Sequence, residues 1–259
     1  MHGEFVLPLD FAYGFLLVLA RVAGTFVFVP LPGARGAAEP ARIVLALSLT
    51  VALAPQWLAV ERTPDLGQLA GWLILEAALG MVAGLAVEFL SEALRVAAQV
   101  VGLQAGYAYA SMVDPQTQAD SGILLIVAQL ASGLLFFAMG LDREVIRTLA
   151  RSLETYPPGA WTPPASSAPA MVDLASGMFT TGVRLALPAA ALLVLVDIAL
   201  ALLGRLHSQL QLLTISFPVK MLAALAVLAW VSVLIPRLYR GYAAEGLGVV
   251  RALLGQTGG

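Results

Sequence analysis

"LAGWLILEAALGMVAGLAVEFLSEALRVAAQVVGLQAG", residues 69–106, decides how the chain folds. Its first part, 69–90, is apolar for long enough to span a bilayer, which takes roughly 20 residues with a range of about 17–25. Yet Glu76, Gly80, Gly84, Glu88 and Glu92 recur there at strict four-residue steps. Such a row winds about 40° around a helix at each step and forms a ridge, not a single face. Gly80 and Gly84 make a G-x-x-x-G pair, the spacing that lets a second backbone come close. The polar and small pattern continues through Arg95, Gln99, Gly102 and Gly106, along a helix-like run, 94–110, too polar to face lipid comfortably. A long helix with such a seam suits tight protein neighbours. Those neighbours are either other subunits or the chain's own helices in a monomeric bundle.

Working outward, five more stretches are long and apolar enough to span: 11–30, 42–60, 122–141, 183–203 and 214–235. The expected fold is therefore an all-α polytopic membrane protein, with about six long apolar helices plus the polar-seamed one. The bulk composition agrees. The 259 residues are 60% hydrophobic and 12% charged, with a mean hydropathy of +0.89, against about 25% charged in soluble domains. Lipid or a large protein partner has to cover such a surface. No basic residue precedes the first apolar run, so that run reads as retained and not as a cleaved signal. Turn signals at 30–40, 61–67 and 156–169 separate the runs. The last, "YPPGAWTPPASSAP", has five prolines and divides four runs from a final two. Before it, "LDREVIRTLARSLE" (141–154) is a short amphipathic helix. Asp142 is its expected N-cap, Val145, Leu149 and Leu153 line one side, and Arg143, Arg147 and Arg151 line another. With six spans, the arginines divide eight against four and favour both termini in the cytoplasm.

Charges at bilayer depth are costly and need a partner or a wet surface. Arg21 lies in the middle of the first run and Glu76 in the seam. Asp197 and Lys220, the only lysine, lie in the last two runs. If 204–213 turns the chain back, these two are equidistant from the turn and level on antiparallel helices. They either neutralise each other or contact a neighbouring subunit. Catalytic constellations are missing. With His2 and His207 as the only histidines there is no H-E-x-x-H pattern, and neither G-x-S-x-G nor a phosphate-binding G-x-x-x-x-G-K-[ST] occurs. The absence of cysteine excludes disulfides and cysteine-ligated metals. A net charge of -2 argues against nucleic acid. No cofactor or metal is expected, and the chain reads as no enzyme.

Several segments, taken in order, resemble the FliR-like family of flagellar and type III secretion export apparatus. They are "RVAGTFVFVPLPG", "EPARIVLALSLTVALAP", residues 76–117, "LARSLETYPPG", "LALPAAALLVLVDIALALLGRL" and "SFPVK". The likeness runs from about residue 15 to 240, with Arg21, Pro40, Arg42 and Pro55 in the family's places. Two departures stand out: the hairpin loop after Arg205 lacks the family's proline and asparagine, and Tyr107 and Tyr109 stand where phenylalanine is common.

The resemblance implies a non-enzymatic subunit of a closed export gate in the bacterial inner membrane, in the basal body of a flagellum or injectisome. Its implied partners are FliP-like and FliQ-like subunits, an FlhB-like switch protein, membrane lipids and exported proteins in transit. It also implies a FliP-like portion over 1–155, a connector over 156–170, a FliQ-like hairpin over 171–240 and a tail over 241–259. Residues 105–118, "AGYAYASMVDPQTQ", are broken by Asp114-Pro115 and by themselves read as a loop. In the family's context they resemble the pore plug, with Gly106 giving freedom and Tyr107, Tyr109 and Met112 giving bulk. The intramembrane charges and small residues (Arg21, Glu76, Gly80, Gly84, Glu88, Asp197 and Lys220) then serve subunit packing or buried charge. The alternatives are a small-molecule transporter, which would use buried charges as a substrate path but normally shows repeats, and an intramembrane enzyme.

Overall fold

The computed structural model describes residues 9–29, 38–56, 64–106, 123–206, 212–233 and 235–254, and among these there is no strand. The helices are α1 (Leu9–Phe28), α2 (Ala38–Ala52), α3 (Leu66–Ala105), α4 (Ile123–Ala138), α5 (Leu141–Thr155), α6 (Ser167–Leu206), α7 (Leu212–Val231) and α8 (Ile235–Leu253), with a 3₁₀ turn at Ala54–Gln56. Helices α1, α3 and α6 are long and apolar enough to cross a membrane, and the bent pairs α4–α5 and α7–α8 raise the number of spans to as many as five. The chain is a polytopic, all-α membrane protein.

The helices differ in extent from the apolar runs that announce them. The run 69–90 and the polar run as far as Ala105 fuse into one 40-residue helix, α3, because no proline interrupts them and an interior glycine costs only about 1 kcal/mol. Asp65 caps it: its Oδ1 accepts from the Leu66 amide at 2.8 Å, while Gln68 reaches back to the Asp65 amide at 3.4 Å. Helix α6 begins at Ser167, inside the expected connector, and runs through Pro188 for 40 residues. Helix α2 stops after 15 residues, short of a span. Asp142 is not the N-cap of α5. Gly140 is, with φ +69° and no side-chain cap, because the chain turns there out of α4 by 62°. Asp142 sits in the first turn instead, where its charge favours the helix dipole. Residues 235–253, read as the end of the hairpin and a tail, form the amphipathic helix α8.

By contacts the chain forms two compact units. The first comprises Met1–Phe89, Phe136–Leu174 and Ala243–Gly259. Its core joins Val18, Val22 and Phe26 of α1, Ala46 of α2, Val87 of α3 and Val145, Leu149 and Leu153 of α5. The second comprises Leu90–Leu135 and Ala175–Tyr242. There Ala98, Val101 and Ala105 of α3 meet Leu124 of α4, Ala186, Ala189 and Leu193 of α6, and Ala224 and Val227 of α7. Alanine dominates this second core, which brings helix backbones close.

In the first unit, the glycine ridge of α3 is occupied by α1 of the same chain. A Cβ on Gly80 would collide with the carbonyl oxygen of Arg21, and one on Gly84 with that of Thr25. From the opposite side, a Cβ on Gly24 would meet the carbonyl of Ala77. Three glycines thus interlock two backbones, and no rotamer change relieves a clash with a carbonyl. The Gly80→Val protein should unfold in detergent at a clearly lower temperature, reflecting a loss of about 1–3 kcal/mol or more from overpacking. Gly71→Val, on an open stretch of the same helix, should leave the midpoint unchanged.

Candidate functional site

The seating of α1 on α3 carries Arg21 to Glu76, 55 residues away in sequence. Both side chains are shut off from solvent, at 0% and 1% exposure. The guanidinium grips the carboxylate with two bonds, Nε to Oε2 at 2.5 Å and Nη2 to Oε1 at 2.9 Å. Two further N–H groups are also used. Nη1 donates to Ser152 Oγ of α5 at 3.1 Å, and Nη2 donates to the Tyr156 carbonyl at 3.1 Å. Glu76 Oε1 accepts a further bond from the Gly159 amide at 2.8 Å. The Ser152 hydroxyl in turn donates to the Leu149 carbonyl at 2.6 Å. A buried ion pair survives desolvation only when its geometry is good and most of its remaining donors and acceptors are met; here four of the five guanidinium N–H groups donate and both carboxylate oxygens accept.

Burial limits the chemistry. Glu76 accepts two hydrogen bonds on Oε1 and one on Oε2 and is only 1% exposed, so the carboxylate is not open to a substrate from solvent. The neighbouring cavity in the same unit, lined by Leu79, Ala83, Thr148, Leu149, Ser152 and Leu247 among others, has a volume of about 10 Å³, room for one water. A cavity of similar size in the second unit lies among Leu90, Leu94, Leu185, Tyr239 and Tyr242. Among the described residues no three metal-capable side chains cluster.

In the second unit, Lys220 of α7 forms an ion pair with Asp197 of α6, at the equal depth that their spacing from the turn requires. The Gln104 amide of α3 reaches the other Asp197 oxygen at 3.4 Å. This pair is not sealed: Lys220 and Asp197 remain 21% and 38% exposed. Two residues beyond Gln104, Gly106 adopts φ +83° and its amide donates to the Leu103 carbonyl, which ends α3. Tyr107, Tyr109, Met112, Asp114 and Pro115 lie outside the described residues. Of the seam's other charges, Glu88 is partly buried and Glu92 pairs with Arg95 at 2.5 Å on a surface about one-third exposed.

Sequence reasoning set Arg21 and Glu76 apart as two unpartnered charges and missed their mutual contact. It also missed Ser152, Tyr156, Gly159, Gly24 and Gln104. Each is a common residue with nothing unusual in its surroundings. The one available signal was arithmetic: one cation and one anion in apolar runs of the same region each need a partner, and each is the other's.

The chain matches the family model of bacterial export proteins, family 1, over residues 12–245. It is 29% identical to the flagellar biosynthetic protein FliR of Escherichia coli (strain K12) over 212 residues, covering 82% of this chain and 81% of that protein. The FliR of Pectobacterium carotovorum subsp. carotovorum is also 29% identical, over 88% of this chain and 85% of its own length. That of Bacillus subtilis (strain 168) is 25% identical over 85% and 86%.

Glu76→Ala should destabilise the purified protein by about 3–5 kcal/mol, because it strands a buried guanidinium. Asp197→Ala, at a site open to solvent or partner groups, should cost under about 1 kcal/mol. Thermal unfolding of the two variants side by side checks the ranking.

Proposed function

Because the chain belongs to the bacterial export proteins, family 1, and within them to the FliR family, we propose that it is a non-enzymatic subunit of the flagellar or type III protein export gate. It lines a closed pore with FliP-like and FliQ-like subunits in the bacterial inner membrane, within the basal body, and passes unfolded proteins to the far side. An FlhB-like switch protein sits against its cytoplasmic face, and lipids surround the assembly. Residues 1–155 correspond to the FliP-like portion, 156–170 to the connector and 171–240 to the FliQ-like hairpin, followed by the tail.

One observation carries this proposal. Large apolar side chains stand exposed along α6 from Val172 to Leu203, and its most span-like window is only 22% buried. At about 1.5 Å per residue this stretch is roughly 46 Å long, while the hydrocarbon core is about 30 Å thick. Lipid alone would cover it only at a tilt of about 50°, steeper than the 0–40° range of membrane helices. Subunits packed against α6 would cover the remainder, which supports the reading. A self-sufficient carrier for small molecules would leave no such excess.

Within the gate, Gly106, Tyr107, Tyr109, Met112, Asp114 and Pro115 form the plug. The bulky side chains close the pore, and Gly106, which ends α3, stands at the start of the segment. Arg21 with Glu76, Gly80 with Gly84, Glu88, and Asp197 with Lys220 are the packing and charge set that supports it. The chain should co-purify with its FliP-like and FliQ-like partners. Deleting 107–112 should leave that complex assembled but raise ion leakage across the membrane. An assembled complex with unchanged leakage would remove the plug role, and solute transport by the lone chain in liposomes would favour the carrier.

A further inference from the structure

Tyr156–Trp161, "YPPGAW", opens the proline-rich connector, and such segments ordinarily run over the surface in contact with water. Here it is docked. The Tyr156 carbonyl accepts from Arg21 Nη2, and the Gly159 amide donates to Glu76 Oε1. The Tyr156 amide closes onto the Ser152 carbonyl at 2.9 Å and the Ala160 amide onto the Pro157 carbonyl at 3.0 Å. Gly159 has φ +85°, a conformation that L side chains avoid. A Cβ there would also stand 3.0 Å from the indole of Trp72, so the ring packs directly on the glycine backbone. Pro158 is buried, and Trp161 is 4% exposed.

The residue types fit a segment made to dock. Pro157 and Pro158 have no amide hydrogen to leave unsatisfied and restrict the undocked chain, so that docking loses less conformational entropy. The Tyr156 carbonyl and the Gly159 amide face the two halves of a charged pair, one a cation and the other an anion. The pair is closed off from solvent, at 0% and 1% exposure. Six residues after Trp161, the Ser167 amide bonds the Pro164 carbonyl at 3.0 Å as α6 begins.

We infer that Tyr156–Trp161 is a latch, and that the buried Arg21–Glu76 pair holds it closed through its main chain and thereby fixes where α6 starts in the first unit. The pair thus acts as a conformational control on the connector as well as a core contact. This role is independent of what the gate exports.

Hydrogen–deuterium exchange on the full chain, purified in detergent, tests it. The double variant Arg21→Met/Glu76→Leu replaces the charges with apolar groups of similar size, a change that cores often tolerate. Exchange in 156–161 should rise at least about tenfold, since two hydrogen bonds to charged groups are lost, while 145–153 in α5 keeps its protection. Unchanged exchange in 156–161 with α5 protected overturns the latch. If the double variant loses protection throughout, Glu76→Gln decides: it keeps the side-chain shape and an oxygen for Gly159 but removes the charge. Faster exchange confined to 156–161 then supports the latch, and parental exchange there overturns it.

Discussion

A guanidinium and a carboxylate with no access to water impose the strictest condition in this molecule. Either charge alone in a low-dielectric interior would cost several kcal/mol. Arg21 and Glu76 therefore have to meet, with good geometry, before the surrounding helices can close. Meeting requires that α1 and α3 approach almost backbone to backbone, which Gly24, Gly80 and Gly84 permit. The remaining bonds of the pair need Ser152 on α5 and the turn after it. Three helices and a connector are thus placed by one ion pair, and the apolar core of Val18, Val22, Leu149 and Leu153 fills in around it.

The second charged pair contrasts with the first. Asp197 and Lys220 neutralise each other on antiparallel helices but stay partly exposed, on a surface that also shows Leu195, Ile198 and Leu222. A closed pair suits a fixed joint, whereas an open one suits a face still to be covered. Polar side chains at bilayer depth that are not sealed point toward other protein or water. The length of the exposed apolar stretch on α6 leads to the same place. Within an export gate, the first unit's sealed joint and the second unit's open hairpin face would do different work, one holding shape and the other offering contact.

Much of this was legible in the sequence because hydrophobic burial is periodic and local. Apolar runs of about 20 residues identify helices in lipid regardless of tertiary context. The equal spacing of Asp197 and Lys220 from a turn predicts their level, because an antiparallel hairpin is nearly a one-dimensional object. The ends of the helices were less legible. Asp142 reads as a cap by residue type, but the bend at Gly140 takes that position. Helix α8 carries Gly241, Gly246 and Gly248, which hid a helix whose Tyr239, Tyr242 and Val250 are nonetheless buried.

Composition and periodicity by themselves determined that this is a polytopic helical membrane protein with costly charges at named positions. The order of its motifs pointed to its family. What the glycine ridge packs against was decided only by the tertiary structure, since a small-residue seam fits a neighbour's helix as well as its own. The partner of Arg21 was decided there too. Glu76, Ser152 and Tyr156 are 55 to 135 positions away in the chain, and a hydrogen bond depends on position to within a few tenths of an ångström. No pattern along the sequence encodes that distance. It exists only once α1, α3 and α5 have packed.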